Sequence, residues 1–283
     1  MKGGKVLPRR GLGDIFAILN DRSESAMKHT SLLTLLICAT SGFAGAATLA
    51  NRWSFDDTTD SVGGNSAVLI GDATLSGGQV LFDGGPNGPN ADSVGFTSTI
   101  DIGGTHGANG VSLEAWYTDT GSGSWSKLFS FGNGTGGQNI IFNIQQGGSG
   151  EGRIQYNGMG GEGNFGPRPA LNAEHHLVVT ISSDGLVNAW VDGAQINATP
   201  GNVQGDGNDL SVLPSTWERI GASNWGDAGM QGSVNEFRIW DGTLSGDDVA
   251  ANLALGPDSV VPEPGSSVLL AFGSLLLLRR RRS

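Results

Sequence analysis

The stretch Val111-Ser112-Leu113-Glu114-Ala115-Trp116-Tyr117 decides the fold of this chain. Its residues alternate in character, and successive side chains of a β-strand point to opposite faces. The spacing therefore predicts a strand with Val111, Leu113, Ala115 and Tyr117 on one face and Ser112, Glu114 and Trp116 on the other. Such a strand packs its more apolar face against a second layer of the protein.

Short runs of similar character recur along the chain, separated by clusters of Gly, Asn, Asp and Ser. This pattern is typical of an all-β protein, and we expect a two-sheet antiparallel β-sandwich of the jelly-roll type. The predicted strands are Leu49–Phe55, Ala67–Ile70, Gln79–Phe82, Ser93–Phe96, Val111–Thr118, Lys127–Phe131, Ile140–Ile144, Arg153–Tyr156, His175–Ile181, Val187–Val191, Glu218–Gly221 and Ser233–Trp240.

Two local signals refine this prediction. Asp192-Gly193 predicts a tight hairpin turn, because both residues tolerate the positive φ values that such a turn needs. Ser245 predicts the N-cap of one short helix near the end of the domain, and Asp248, three residues later, could complete a capping box. After Gly256-Pro257 we expect a linker.

The body of the chain, residues 47–260, is acidic and lacks cysteine. It holds 6 basic residues against 23 Asp and Glu, a net charge of 6 − 23 = −17, whereas the whole chain carries −11. The single cysteine, Cys38, precedes the body, so disulfides and cysteine-ligated zinc are excluded there. A body this acidic should repel nucleic acid and anionic lipids, and it suits neutral or cationic partners, calcium or simple solubility.

The N-terminal region predicts export. Met27-Lys28-His29 is a basic start, an apolar segment rich in leucine follows, and Ala44-Gly45-Ala46 is a small-residue cleavage site. This order is that of a signal peptide, which would place the first mature residue near Ala47. Residues 1–26 are then either a long extension or the product of a start codon assigned too early, with Met27 as the true first residue.

The C-terminal region predicts a destination. Pro262-Glu263-Pro264 leads into 13 uncharged residues from Ser266 to Leu278, and then into Arg279, Arg280, Arg281 and Arg282. As a helix the 13 residues would span roughly 20 Å, short of the roughly 30 Å hydrocarbon core. This layout resembles the PEP-CTERM sorting signal, which implies removal by an exosortase and delivery to the cell surface or its polymer matrix. A retained membrane anchor is the alternative.

Several segments of the body, in order, resemble the laminin-G-like, concanavalin A-like jelly-roll family. They are 52–56 with 60–65, 111–116, 174–180, 190–193 and 232–240 with Leu244-Ser245. We therefore divide the chain into an extension at 1–26, a signal peptide at 27–46, a laminin-G-like domain at 47–256, a linker at 257–265 and an apolar helix with its arginine cluster at 266–283.

The same fold includes glucanases, which use carboxylates at E-x-D-x-E spacing on one strand. This chain has no such motif. Glu114 and Glu236 lie in predicted strands without carboxylates two residues away, and Glu236 is expected to pair with Arg238 or Arg52. From the sequence we therefore expect no enzyme activity and no catalytic residue, with a glycoside hydrolase as the less favoured alternative.

Calcium is the one cofactor that the residues suggest, because it prefers several oxygen ligands on flexible loops. Asp60 and Asn65 lie on a glycine-rich loop and are the nominated metal ligands, although turn formation explains the same residues. His175 and His176 point to opposite faces of a strand and cannot share a metal without a bulge.

Carbohydrate binding needs an aromatic ring beside groups that form hydrogen bonds to hydroxyls. Asn224, Trp225 and Asp227 offer this in a predicted loop, and Trp125 is a second candidate. We therefore expect an exported, non-catalytic module that binds carbohydrate or protein in an extracellular polymer, with exosortase and, before processing, the membrane as further partners. A structural matrix component without a discrete ligand is the alternative.

Overall fold

The computed structural model describes residues 46–134, 138–147, 150–157, 161–196 and 209–259. All the strand pairings are antiparallel, as the alternating pattern predicts. The strands, in chain order β1 to β15, are Thr48–Trp53, Ala67–Ile70, Thr74–Leu75, Val80–Asp83, Ser93–Phe96, Val111–Asp119, Lys127–Gly132, Asn139–Gln146, Glu151–Asn157, Gly161–Pro167, Glu174–Ile181, Val187–Val191, Ala194–Gln195, Trp217–Ile220 and Gln231–Asp241.

The strands form two sheets that face each other across the core. The first sheet has the order β13-β12-β11-β6-β15-β4-β3. Strand β1 also belongs to it and pairs with residues 237–241 of β15. The second sheet has the order β10-β9-β8-β7-β14-β5-β2. The two-sheet antiparallel sandwich expected from the sequence is confirmed, and the structure adds β3, β10 and β13 to the predicted strands.

The core lies between the sheets and is rich in aromatic residues. Val111, Leu113, Ala115 and Tyr117 of β6 all belong to it, which confirms the predicted apolar face. Across the interface, Phe129, Phe131 and Phe142 of the second sheet approach Phe237 or Tyr117 with ring centroids about 6 Å apart. Such ring pairs add specificity to the hydrophobic burial that stabilises the sandwich.

A second, smaller apolar cluster covers the outer face of the first sheet. It joins Val178 and Trp190 to Trp240, Leu244 and Val249. The helix Gly246–Leu255, here α1, supplies Val249 and begins at Ser245, whose side chain accepts from Asp248 N while the Asp248 carboxylate accepts from Ser245 N. The predicted helix and its capping box are thus confirmed, and β11 is covered on both faces.

The hairpin at Asp192-Gly193 also forms as predicted, with φ values of 50° and 77°. The predicted extension, signal peptide and PEP-CTERM segment, including Pro262, Glu263, Pro264 and Arg279 to Arg282, lie outside the described residues. Among the helices of the described residues, none is long and apolar enough to span a membrane.

Candidate functional site

A buried ammonium group organises the candidate site on the outer face of the second sheet. Lys127 begins β7, and its Nζ donates to Trp125 O at 2.9 Å, to Asn143 Oδ1 at 3.0 Å and to Asp227 Oδ2 at 3.0 Å. These three acceptors match the three N–H groups of an ammonium. Burial lowers the pKa of Lys127, and the charge of Asp227 opposes that change. Asp227 therefore helps to keep Lys127 charged.

Two tryptophans contact this ammonium, Trp225 through its ring and Trp125 through its backbone carbonyl. The ring of Trp225 lies 5.5 Å from Lys127 Nζ, and the peptide N–H of Trp225 donates to Ser223 Oγ at 3.1 Å. Trp125 has a φ of 64°, a conformation that bulky residues rarely adopt, and its N–H donates to Gln145 O. Both side chains are partly exposed. We call Trp125, Lys127, Trp225 and Asp227 the Lys127 cluster.

Asn224 supports this cluster from below. It is only 1% exposed, its Oδ1 accepts from Ser130 Oγ at 3.2 Å, and its Nδ2 donates to Gly134 O at 2.5 Å. The side-chain amide is therefore engaged within the domain and anchors the loop to the sheet. Of the four residues predicted to contact a ligand, the structure brings Trp125, Trp225 and Asp227 together and buries Asn224 beneath them. Their contact with a ligand stays a prediction.

The loop that carries Trp125 has a support of its own. Arg168 forms an ion pair with Asp119, contacts Gln145 and donates to Ser122 O at 3.1 Å. Asp119 Oδ1 in turn accepts from Ser122 N at 2.9 Å. These contacts anchor the segment 119–122 and also Gln145, whose carbonyl accepts from the Trp125 N–H. Trp125 is therefore held in place before any ligand binds.

Asp60 and Asn65, the nominated calcium ligands, are occupied by the loop itself. The Asp60 carboxylate accepts from the side chain of Asn51 and from the peptide N–H groups of Arg52, Val62, Gly63 and Asn65, at 2.7–3.1 Å. Together these bonds lower the pKa of Asp60, although burial acts in the opposite direction. Five donors leave the Asp60 carboxylate little capacity for a cation. Calcium binding at this loop stays a prediction, and these hydrogen bonds do not favour it.

The side chain of Asn65 is engaged in the same way. Its Oδ1 accepts from Thr97 Oγ1 at 3.0 Å and from Ser98 N at 2.9 Å. Its Nδ2 donates to Ser98 O at 2.7 Å. These bonds tie the loop to the segment that follows β5.

Sequence reasoning missed a second group that could hold a cation. Asp72, Asp83 and Asp92 place one carboxylate oxygen each within 4.8 Å of the others. Asp92 is only 2% exposed, and burial together with the neighbouring Asp72 and Asp83 raises its pKa to about 6. The three residues come from separate segments, and their spacing in the sequence carries no signal.

The histidine pair and the strand glutamates have structural partners. His175 Nδ1 lies 2.8 Å from Asp192 Oδ2, and His176 Nε2 lies 2.8 Å from Glu114 Oε1. The two histidines therefore serve different contacts, as their opposite directions predict. Glu114 Oε2 also accepts from Trp240 Nε1 at 2.8 Å.

Glu236 joins the start and the end of the domain. It pairs with Arg52 at 2.7 Å and with Arg238, which confirms the expected partners. Its Oε2 accepts from Asp258 N at 2.6 Å, and Arg238 donates to Ser259 O. Because the Glu236 and Arg238 side chains are fully buried, removing either one would leave the other buried charge less fully compensated.

Glu218 is a buried carboxyl that makes the stability of the domain depend on pH. It lies on the inner face of β14, its Oε2 accepts from Ile100 N at 2.9 Å, and its buried Oε1 has no partner among the described residues. Burial raises the pKa of Glu218 to about 7. It is placed among core residues and belongs to neither the Lys127 cluster nor the aspartate group.

The fold and the site together define a class: a two-sheet antiparallel β-sandwich with an aromatic and charged cluster on the outer face of one sheet. The family model of the concanavalin A-like lectin/glucanases superfamily, laminin G type, matches residues 91–250, more than half of the chain. The chain therefore belongs to this superfamily, and the resemblance of its body to the laminin-G-like, concanavalin A-like family is confirmed. A comparison with curated proteins found no match.

Solved structures with the same fold come from proteins of different activity. One is domain 4 of AbnA, a GH43 extracellular arabinanase from Geobacillus stearothermophilus, in complex with arabinotriose. It has 19% identity and a TM-score of 0.55, over 74% of this chain and 99% of that one. Another is the Trypanosoma rangeli sialidase in complex with the inhibitor DANA, with 18% identity and a TM-score of 0.56, over 72% of this chain and 32% of that one.

A third similar structure is the binding domain of botulinum neurotoxin DC in complex with rat synaptotagmin II. It has 12% identity and a TM-score of 0.53, over 75% of this chain and 52% of that one. The fold is thus shared by parts of two glycoside hydrolases and by a protein-binding domain. This chain spans about a third of the sialidase.

The expectation that the protein is not an enzyme is wrong. It rested on the absence of E-x-D-x-E, whereas the structures of similar fold come from an arabinanase and a sialidase. One missing motif excludes one catalytic arrangement on one strand, and carboxylates from separate strands can form another. Glycoside hydrolases therefore stay among the classes to be tested.

Proposed function

We propose that this protein binds carbohydrate through the Lys127 cluster. The observation that carries the proposal is one buried ammonium that contacts the ring of Trp225, the backbone carbonyl of Trp125 and the carboxylate of Asp227. A pyranose ring stacks on an indole, while its hydroxyl groups need charged or polar partners close to that ring. Trp225 supplies the indole and Asp227 the charged partner, within three residues of one loop.

The rigidity of the cluster favours this function. Lys127 binds the carbonyl of Trp125 and the carboxylate of Asp227, so the two loops are linked through one side chain. The Trp225 ring gains from the nearby cation, and Arg153 lies 5.6 Å from the Trp125 ring. Rings that are fixed in advance lose little conformational entropy when a ligand binds. The arabinanase domain, of the same fold and in complex with arabinotriose, supports a carbohydrate ligand.

The destination is part of the same proposal. Residues 27–46 would direct export, and residues 261–283 would be recognised by an exosortase-type protease after a transient stay in the membrane. The processed domain would then reside at the cell surface or in an extracellular polymer. The support is the pattern of residues in the two terminal segments.

Glycan binding by the purified protein tests the proposal. Trp225→Ala and Trp125→Ala should each weaken binding on a glycan array by about tenfold or more, because central aromatic anchors dominate such sites. Val212→Ala is the control, since Val212 is 53% exposed and lies outside the cluster. Unchanged binding by both tryptophan variants would exclude the cluster.

The same glycans distinguish the other classes. Release of reducing ends by the wild-type protein would identify a glycoside hydrolase. Failure of the protein to bind any glycan, including the polysaccharide of the producing cell, would contradict the proposal and support a structural role in the matrix.

A further inference from the structure

Trp217 and Arg219 form a second aromatic and cationic pair, which sequence reasoning did not single out. They alternate with Glu218 and Ile220 along β14, and since Ile220 lies in the core, they face outward from the second sheet. The guanidinium carbon of Arg219 lies 4.9 Å from the centroid of the Trp217 ring. Both side chains are partly exposed.

Arg219 has no carboxylate partner in the described part of the domain. By contrast, Arg52, Lys127, Arg168 and Arg238 all form ion pairs with Asp or Glu. Arg219 donates from Nη1 to its neighbour's carbonyl, Glu218 O, at 2.7 Å, and among the described residues its Nε has no hydrogen-bond partner. In a body of net charge −17, an uncompensated guanidinium is the exception.

This cation is also partly desolvated. Burial is the main cause that lowers the pKa of Arg219, and the nearby Glu218 only partly offsets it. Glu218 itself points to the opposite face of the strand, and its own pKa is raised to about 7. Burying a charge is unfavourable unless an anion compensates it, so the site is suited to an anionic ligand.

The pair lies on the same surface as the Lys127 cluster. Arg219 is paired in register with Ser130, whose hydroxyl donates to Asn224, the residue next to Trp225. Asn224 also donates to Gly134 O, and Gly134 lies against Trp217. Residues 224, 130 and 134 therefore connect the two aromatic and cationic groups along one face.

Two glycines lie close to the pair. A Cβ at Gly95 would lie 3.1 Å from Arg219 Nη1, and a Cβ at Gly134 would lie 3.6 Å from Trp217 Cβ. A side chain at position 95 would therefore crowd the guanidinium.

We infer that Trp217 and Arg219 form a subsite for a carboxylate-bearing sugar, so that the glycan bound at the Lys127 cluster is a uronic-acid polysaccharide or another acidic one. This inference rests on the proposed function. A planar guanidinium forms two parallel hydrogen bonds with a carboxylate, and the adjacent indole stacks on the sugar ring that carries it. The attraction is local, because the net charge of the domain opposes polyanions.

Binding of matched oligosaccharides tests the inference. The probes are an oligogalacturonate, the same oligosaccharide after reduction of its carboxyl groups, and dextran sulfate, titrated against the full protein by calorimetry. We expect the oligogalacturonate to bind at least about tenfold more tightly than the reduced form, because a hydrogen bond between the guanidinium and a carboxylate contributes at least that much affinity. Since overall repulsion would produce the opposite order, this preference cannot arise from net charge.

Two variants assign the preference to one residue. Arg219→Met keeps an apolar chain against Trp217 and should abolish the preference for the oligogalacturonate over the reduced oligosaccharide. Arg219→Lys keeps the charge without the planar fork and should lose most of the preference. Thermal melts establish that each variant is folded.

The outcomes separate this inference from the proposed function. Equal binding of both oligosaccharides, tighter binding of dextran sulfate, or a preference that survives Arg219→Met would overturn the carboxylate subsite and leave carbohydrate binding intact. Absence of binding to all three probes and to the glycan array would overturn both.

Discussion

Glu218→Gln should remove a large part of the pH dependence of stability. The pKa of Glu218 is about 7 in the folded protein, against an ordinary value of 4.5, because the side chain is buried. The folded state therefore holds this proton more tightly than the unfolded chain does. The resulting stability is fully present below about pH 4.5 and is lost as the pH rises through about 7.

The magnitude follows from the two pKa values. Their difference, at about 1.4 kcal/mol for each pH unit, gives about 3 kcal/mol in total. Most of it, about 2 to 3 kcal/mol, falls between about pH 5 and about pH 8. Because the side chain is only 8% exposed, solvent screening reduces this figure little. Glutamine keeps the acceptor for the Ile100 N–H and cannot ionise.

Urea denaturation monitored by tryptophan fluorescence measures the effect. Between about pH 5 and about pH 8, the variant should lose about 2 to 3 kcal/mol less unfolding free energy than the wild type. Glu174→Gln is the matched control, since Glu174 is exposed and its Oε1 accepts from Asn235 Nδ2. Parallel pH profiles for the wild type and Glu218→Gln would refute the reasoning.

Three further predictions concern other buried or capping groups. Asp92→Asn should remove the loss of stability between about pH 4 and about pH 6, since burial and adjacent carboxylates raise the Asp92 pKa to about 6. Thermal melts across this range check it, and an unchanged profile would contradict it. Ser245→Ala should lower the unfolding free energy by about 1 kcal/mol, through loss of the cap to Asp248 N. Urea titration measures this, and no loss would argue against the cap. Arg238→Met should cost about 3–5 kcal/mol, because buried Glu236 loses a partner. A wild-type unfolding midpoint in urea would disprove that role.

The sequence predicts the sandwich well where one residue pattern has one structural cause. The alternation at 111–117 produces the observed core face, and Ser245 with Asp248 produces the observed cap. It missed β10, whose sequence Gly161–Pro167 is rich in residues with low strand propensity. That strand exists through its pairing with β9, and pairing between strands is not visible in composition.

Local irregularities also escape sequence reasoning. A register shift between Val234 and Glu236 in β15 places Val234 in the core and turns Glu236 towards Arg52 on the other face. Simple alternation would put residues 234 and 236 on the same face. The bulge is therefore what allows the Glu236 contacts to form.

The candidate site is likewise only partly predictable from the sequence. Trp125 and Trp225 can be nominated one at a time, because an aromatic residue in a polar loop suggests a ligand contact. Their convergence depends on Lys127 and Asp227, which are 100 residues apart in the chain. The aspartate group at 72, 83 and 92 likewise emerges only in the folded structure, as does Arg219, which has no ion-pair partner among the described residues.

The contacts of Asp258 and Ser259 have a mechanical consequence. These residues are bonded to Glu236 and Arg238, which belong to β15, and β15 pairs with β1, β4 and β6. Tension on the chain beyond Ser259 is therefore resisted first by these two hydrogen bonds and is passed into the interior of a sheet. The domain would bear load through a paired strand, and α1 would be spared until those bonds had broken.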